Sequence, residues 1–187
     1  MFDVGAFDCA WSLAFKNKYP ECRVVAFEGC PDNCALIDQF EGRGVEIVRA
    51  AVCDHENGVD FWSNTEKGGP GCSGSILPPL DALKKEFKHL LFRKEARRVP
   101  SIRLDAFCSR EGISGLDVLH MDVQGAELLV LKGMGELHPR VLSLEVNETK
   151  ESGHYDGAAP LKELCNELIG RGYHQVWTDY QDAIYIR

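Results

Sequence analysis

Short apolar runs that close on glycine or an acidic residue recur along this chain, with helix-length segments between them. Met1 to Val4 stops at Gly5, RVVAFE spans Arg23 to Glu28, and Val45 to Val52 follows; LDVLHMD ends at Asp122 and VLSLEV at Val146. A strand buried on both faces reads as a near-continuous apolar run rather than as an alternation. Between the runs, Trp11 to Lys18, Pro31 to Phe40 and Ala126 to Lys132 read as helices. Pro31 and Asp32 suit a first turn, and Gly42 and Gly44 stop that helix. Pro160 opens a last helix whose Leu161, Leu164, Cys165, Leu168 and Ile169 share a face, and Tyr173 to Trp177 and Ala183 to Ile186 close the chain as strands. The alternation predicts an α/β fold, a mostly parallel sheet with helices on both faces, in one domain over residues 1–187.

The stretch between the third and fourth core runs is less regular. Asn57-Gly58 turns the chain into VDFW, a short antiparallel strand. EKGGPGCSGS, Glu66 to Ser75, is a loop without a core pattern, and it reads equally as a lid over a site or a surface excursion. Lys84 to Arg98 carries seven Lys or Arg against two Glu. It reads as a solvated helix with Leu90, Leu91 and Phe92 against the body, or as a positive edge for an anionic substrate. Val99 to Leu104 is the next strand, and Asp105 to Arg110 a short helix or turn.

A formal net charge of −8 argues against general nucleic-acid binding. No stretch approaches the apolar length of a membrane span, and Asp3 and Asp8 interrupt the apolar start where a signal peptide would lie, so the expected location is the cytoplasm. The eight cysteines form no CxxC pair in a chain long enough to bury its own core, which favours reduced thiols packed as small hydrophobes. Cys30 and Cys34 have no second pair to complete a zinc site, so no metal is expected.

An open parallel sheet binds its ligand at the carboxyl ends of its strands. Those ends carry Asp3 and Gly5, Glu28, Asp54, His120 and Asp122, and Glu145 and Asn147. Glu28 follows Gly5 at a distance suited to an acid that accepts hydrogen bonds from a ribose diol. The Gly5 turn has one glycine, which disfavours a dinucleotide, and the chain has no GxxxxGK[ST] phosphate loop.

The chain resembles the FkbM family of S-adenosylmethionine-dependent methyltransferases. The resemblance rests on FDVGA at Phe2, VVAFEG at Val24, AAVCD at Ala50, IRLDAFC at Ile102, LHMDVQGAELLVLKG at Leu119 and LSLEV at Leu142, in that order. It implies a Rossmann-like methyltransferase fold with an antiparallel C-terminal strand, S-adenosyl-L-methionine as cofactor, and methyl transfer to a hydroxyl of a small-molecule, sugar or lipid acceptor. It also implies that Asp3, Gly5 and Ala6 pass beneath the methionine part and that Glu28, followed by Gly29, holds the ribose. Val52, Cys53 and Asp54 would border the adenine, and Asp122 would close the far side. His120, Asp122 and Glu145 are the candidate bases, while Arg103 and Asp105 match a segment whose job is structural. The family commonly has Asn where Phe7 stands, Gly where Cys9 stands and Pro where Gly29 stands. It also carries structure ahead of strand one, so either a minimal form or a missing start is expected. These departures motivate an alternative, a catalytically degenerate module that uses the fold for binding. Oligomeric state stays open.

Overall fold

The computed structural model describes residues 1–66, 68–146, 153–179 and 181–187. Seven strands form the central sheet: β1 (Phe2–Val4), β2 (Val24–Phe27), β3 (Val45–Val48), β4 (Val118–Met121), β5 (Val141–Glu145), β6 (His174–Thr178) and β7 (Asp182–Ile186). Their order is β6-β7-β5-β4-β1-β2-β3. All neighbours pair in parallel except β7, which runs antiparallel to both β5 and β6. The connections reverse direction at β1, between β2 and β4, which is where an open sheet leaves a crevice at its carboxyl edge.

Helices α1 (Ala10–Lys18) and α2 (Pro31–Ile37) pack on one face, where Met1, Val24, Ala26 and Val45 meet Cys9, Leu13 and Ile37. The short helix α3 (Asp81–Glu86) lies apart from the sheet. Helices α4 (Leu104–Arg110), α5 (Glu127–Gly133) and α6 (Leu161–Gly170) cover the other face, burying Phe107, Leu131 and Leu168 against Phe2, Val4, Val25 and Phe27. Phe2, Phe27 and Phe107 meet edge to face with centroids 5.0–5.6 Å apart. Of the apolar positions expected on the buried face of α6, Leu164 and Leu168 are buried, whereas Ile169 is 65% exposed. No helix among the described residues is long and apolar enough to cross a membrane. All eight cysteines are free thiols.

Three expectations are corrected. The run Val45 to Val52 is not one strand. The chain kinks after Val48, and Ala51–Val52 leaves the central sheet to pair in parallel with Ser101–Ile102. Gly29 permits this path, because a Cβ there would lie 2.9 Å from the Cβ of Ala51. The expected strand Val99 to Leu104 is likewise divided at Pro100, which has no N–H to donate. The basic stretch Lys84 to Arg98 is not a helix. It leaves α3 after Glu86 and continues as two short strands, Leu91–Phe92 against Asn64–Glu66 and Arg97–Val99 against Val59–Phe61. Leu90, Leu91 and Phe92 are consecutive and so cannot share a helix face, while cross-strand partners and the Arg97–Asp32 ion pair (2.6 Å) hold the extended form.

Phe7 and Cys9 take left-handed backbone angles, φ 48° and 58°. The resemblance pointed to Asn and Gly at these positions, residues that enter this region at low cost. Cys9 is fully buried at the start of α1 and keeps its place by packing. Cys9→Gly is expected to be more stable than Cys9→Ala by about 1 kcal/mol, because only glycine relieves the left-handed penalty. Paired thermal or denaturant melts of the two variants would measure this, and Ala equal to or above Gly would contradict it.

Candidate functional site

A cleft opens at the carboxyl ends of β1, β2 and β4. Its floor is the turn after β1. Gly5 has φ 84°, and a Cβ there would stand 1.9 Å from the carbonyl oxygen of Asp122. The β1 turn and the β4 turn therefore touch backbone to backbone, which only glycine allows. The amides of Gly5 and Ala6 both donate to the carbonyl of Phe27, at 3.0 and 3.1 Å, tying the floor to β2.

Glu28 follows β2 at the edge of this floor. It is 4% exposed and accepts hydrogen bonds from the amides of Phe7 (2.7 Å) and Cys30 (2.6 Å), one on each carboxyl oxygen. Asn33 also lines the cleft, and its Oδ1 is buried without a partner. Burial pushes the Glu28 carboxyl up to about 7, against the pull of the Cys30 and Phe7 amides and of the Asn33 side chain. Val52, Phe61 and Ile76 add an apolar wall.

On the β4 side, Asp122 faces the cleft. Gln124, in a left-handed conformation at φ 54°, donates from Nε2 to Asp122 Oδ1 (2.7 Å) and to Glu145 Oε2 (2.8 Å). Glu127 is buried at the start of α5 and accepts the amide of Gly125 at 3.1 Å. Burial raises the Glu127 carboxyl to about 7, and burial together with the Asp122 charge raises Glu145 further. Carboxyls raised in this way bind protons more tightly folded than unfolded. Their contribution is intact below the ordinary value of 4.5 and is lost as pH rises through about 7. Thermal stability is therefore expected to fall from about pH 5 to about pH 8, with Glu28 and Glu127 each contributing on the order of 3 kcal/mol. Melting curves across this range would check it, and Glu127→Gln should flatten the slope.

The glycine-rich loop covers the cleft. Cys72, Gly74 and Ile76 line it from above. Ser75 Oγ donates to the carbonyl of Gln124 at 2.9 Å, and the Tyr155 hydroxyl donates to the carbonyl of Ser73 at 2.7 Å. The loop thus lies over the β4 turn and is pinned to it. The cavity left beneath has a volume of ≈ 40 Å³, room for a few waters. That is well below the roughly 300 Å³ of an ordinary small-molecule pocket. A second cavity of ≈ 380 Å³ lies on the β5 side of the same turn, lined by Gln124, Glu127, Glu145 and Tyr155 and by the start of α6.

Of the residues singled out from the sequence, Gly5, Glu28, Gly29, Val52 and Asp122 line the cleft together. Ala6 is buried in the floor. Asp3 points to the α1 side, where it accepts the Ser12 hydroxyl (2.6 Å) and lies 2.9 Å from His120 Nδ1. Trp11 stacks on His120 with centroids 4.2 Å apart, and His120 does not line the cleft. Glu145 lines the second cavity, not the first. Cys53 and Asp54 lie outside the cleft lining. The Cys53 thiol is buried and bonded to the His55 carbonyl at 3.3 Å, and the Asp54 carbonyl accepts Arg103 Nη1 at 2.8 Å. Cys53, Asp54 and His55 bring ligand-type atoms within 4.8 Å, but burial raises the thiol and so opposes the thiolate a metal needs. Arg103 also pairs with Asp105, and this clamp is structural in form. Asn147 lies outside the described residues. Phe7, which the sequence places beside the Gly5 turn, lines the cleft, whereas Asn33, Phe61, Tyr155 and the bridging role of Gln124 were not anticipated. The left-handed φ of Phe7 and Gln124 has no marker in the residue types, and Tyr155 meets partners remote in sequence.

A sequence profile described as Methyltransferase FkbM domain matches residues 3–174. The chain is 28% identical over 175 residues to the 2-O-methyltransferase NoeI of Sinorhizobium fredii, covering 90% of this chain and 70% of that protein. It is 29% identical over 181 residues to the methyltransferase sdnD of Sordaria araneosa, covering 80% of this chain and 65% of that one. The crystal structure of a precorrin-6y C5,15-methyltransferase from Geobacter metallireducens superposes on the whole chain and on 79% of its own, with a TM-score of 0.51 and 14% identity. At that identity it speaks for the fold alone. The match over residues 3–174 and the order of the strands agree: the chain belongs to the FkbM family of methyltransferase domains.

Proposed function

We propose that this chain, with a Rossmann-like methyltransferase fold, transfers a methyl group from S-adenosyl-L-methionine to a hydroxyl oxygen of a small-molecule, sugar or lipid acceptor. The observation that carries the reading is Glu28. It is a buried carboxyl at the end of β2, beside the backbone contact at Gly5 and next to the partnerless Asn33 Oδ1. These acceptors suit the hydroxyls of a ribose, since a carboxylate has about four lone-pair sites and keeps one after the Phe7 and Cys30 amides and the Asn33 side chain. Val52, Phe61 and Ile76 suit a flat apolar base, and Gly5 and Ala6 lie where the methionine part would pass. Asp122 suits the amine of that part or the proton of the acceptor. Gly29 allows close approach, and Cys53 with Asp54 supports the wall from behind. The 2-O-methyltransferase among the relatives favours oxygen as the acceptor atom.

S-adenosyl-L-methionine would supply an activated methyl on sulfur. The protein's part is to hold the acceptor oxygen in line with it, exclude water and take the hydroxyl proton. Asp122 is the base best placed by the cleft. Glu145 acts beside it through Gln124, and His120 supports the floor through Asp3. Phe7 lines the cleft and favours a second reading, a binding module without turnover. Calorimetric titration with S-adenosylhomocysteine tests the first reading, with saturable binding expected. No saturation up to millimolar ligand would sink it. Binding without transfer of labelled methyl to any acceptor in a crude extract would favour the second.

A further inference from the structure

Gln124 lines the second cavity, and its side chain reaches Asp122, which lines the first. Gln124 reaches across from the β4 turn. Its amide nitrogen lies between Asp122 and Glu145, and its carbonyl oxygen stands 3.2 Å from the Tyr155 hydroxyl, whose one hydrogen goes to the nearer Ser73 carbonyl. A carboxamide there donates toward two carboxyls. An alcohol's single O–H can replace one of those two donations, and its oxygen can accept. Gln124 holds this place at a left-handed backbone angle, a cost of about 1 kcal/mol or more that is met where surroundings over-determine it.

The second cavity, ≈ 380 Å³, is within the range of small-molecule sites. One wall is polar, with Gln124, Glu127, Glu145 and Tyr155; the other is apolar, with Ala159 and Leu164. No Lys or Arg is among the described residues that line it. Among these described residues the charged groups an anionic ligand would meet are carboxyls. Their burial holds Glu127 and Glu145 toward the neutral form, which also weakens the case for a cation.

We propose that this cavity binds the methyl acceptor, an uncharged amphipathic alcohol, and that Gln124 is the side chain its hydroxyl displaces to reach the cofactor cleft. The proposal rests on the methyl-transfer reading above and adds the acceptor's class and place. In the transfer, the acceptor oxygen forms the new C–O bond as the methyl–sulfur bond breaks. The sulfur leaves as a neutral thioether, and the hydroxyl proton passes to the Asp122 carboxylate.

The test uses n-octyl β-D-glucopyranoside below its micelle concentration, with octyl sulfate and octylamine as charged counterparts. Protein labelled at Ala and Leu methyls and saturated with S-adenosylhomocysteine is titrated by NMR. Saturable shifts centred on Ala158, Ala159 and Leu164 are expected with the glucoside. At least tenfold weaker binding is expected with the sulfate and the amine. Ala159→Trp should abolish the glucoside shifts while S-adenosylhomocysteine still binds. Gln124→Ala should tighten glucoside binding severalfold, because nothing has to be displaced; a purely structural Gln124 would instead leave it unchanged or weaker. S-adenosylhomocysteine binding with no glucoside shifts at these methyls overturns the proposal and leaves the methyl-transfer reading standing. Equal or tighter binding of the sulfate or the amine overturns the acceptor class. Should Ala159→Trp fail to fold, the methyl shifts of the unmodified chain decide alone. Failure of S-adenosylhomocysteine to bind overturns both readings.

Discussion

Gly5→Ala is expected to leave little or no stable fold, whereas Gly42→Ala, at nearly the same backbone angle, should cost only about 1 kcal/mol. Gly5 has φ 84° and Gly42 has φ 80°, so the conformational penalty is common to both. The surroundings differ. A Cβ at Gly42 meets nothing within 4 Å, while one at Gly5 would overlap the carbonyl of Asp122 at 1.9 Å. That partner is backbone and cannot rotate away. Relief requires β1 and β4 to separate at the centre of the sheet, where Asp122 N donates to Val4 O at 3.0 Å. A loss above about 4 kcal/mol is in reach, a large share of the stability of an ordinary domain. Denaturant melts of the two variants would check it, and a Gly5→Ala protein as stable as Gly42→Ala would refute the backbone contact.

Glu28→Ala is expected to weaken S-adenosylhomocysteine binding by about 100-fold, the loss of roughly 3 kcal/mol in hydrogen bonds to a charged acceptor. The fold should tolerate the change better than the site does. The amides of Phe7 and Cys30 and the Asn33 side chain lose their acceptor, but above pH 7 the chain is also relieved of a carboxylate whose burial opposes ionisation. Calorimetry at about pH 8, where Glu28 is ionised, gives the cleanest comparison. Unchanged affinity in a folded variant would remove Glu28 from the ribose role and with it the main support for the cofactor site.

The loop from Cys72 to Ile76 shows why only part of this site was legible. Its glycines mark it as irregular, and a lid and an idle excursion have the same composition. What distinguishes them is Ser75 on the Gln124 carbonyl and Tyr155 on the Ser73 carbonyl, partners 49 and 82 residues apart. His120 is a similar case. It follows an apolar run near a strand end, as a catalytic base would, but strand alternation turns it to the α1 side, against Asp3 and Trp11. Asp54 follows a strand end too, yet that strand has already left the central sheet.

The sequence by itself determined the alternation of strands and helices, the glycine after the first strand, the acid after the second and the family to which these belong. Such features are set by residues adjacent in the chain, through the period of burial and the angles each residue type permits. Only the tertiary structure decided which strand ends share a cleft, that the glycine-rich loop lies over it, and that Gln124 links Asp122 there to Glu145 in a second cavity. Those outcomes depend on contacts between segments far apart in sequence, and no local periodicity records them.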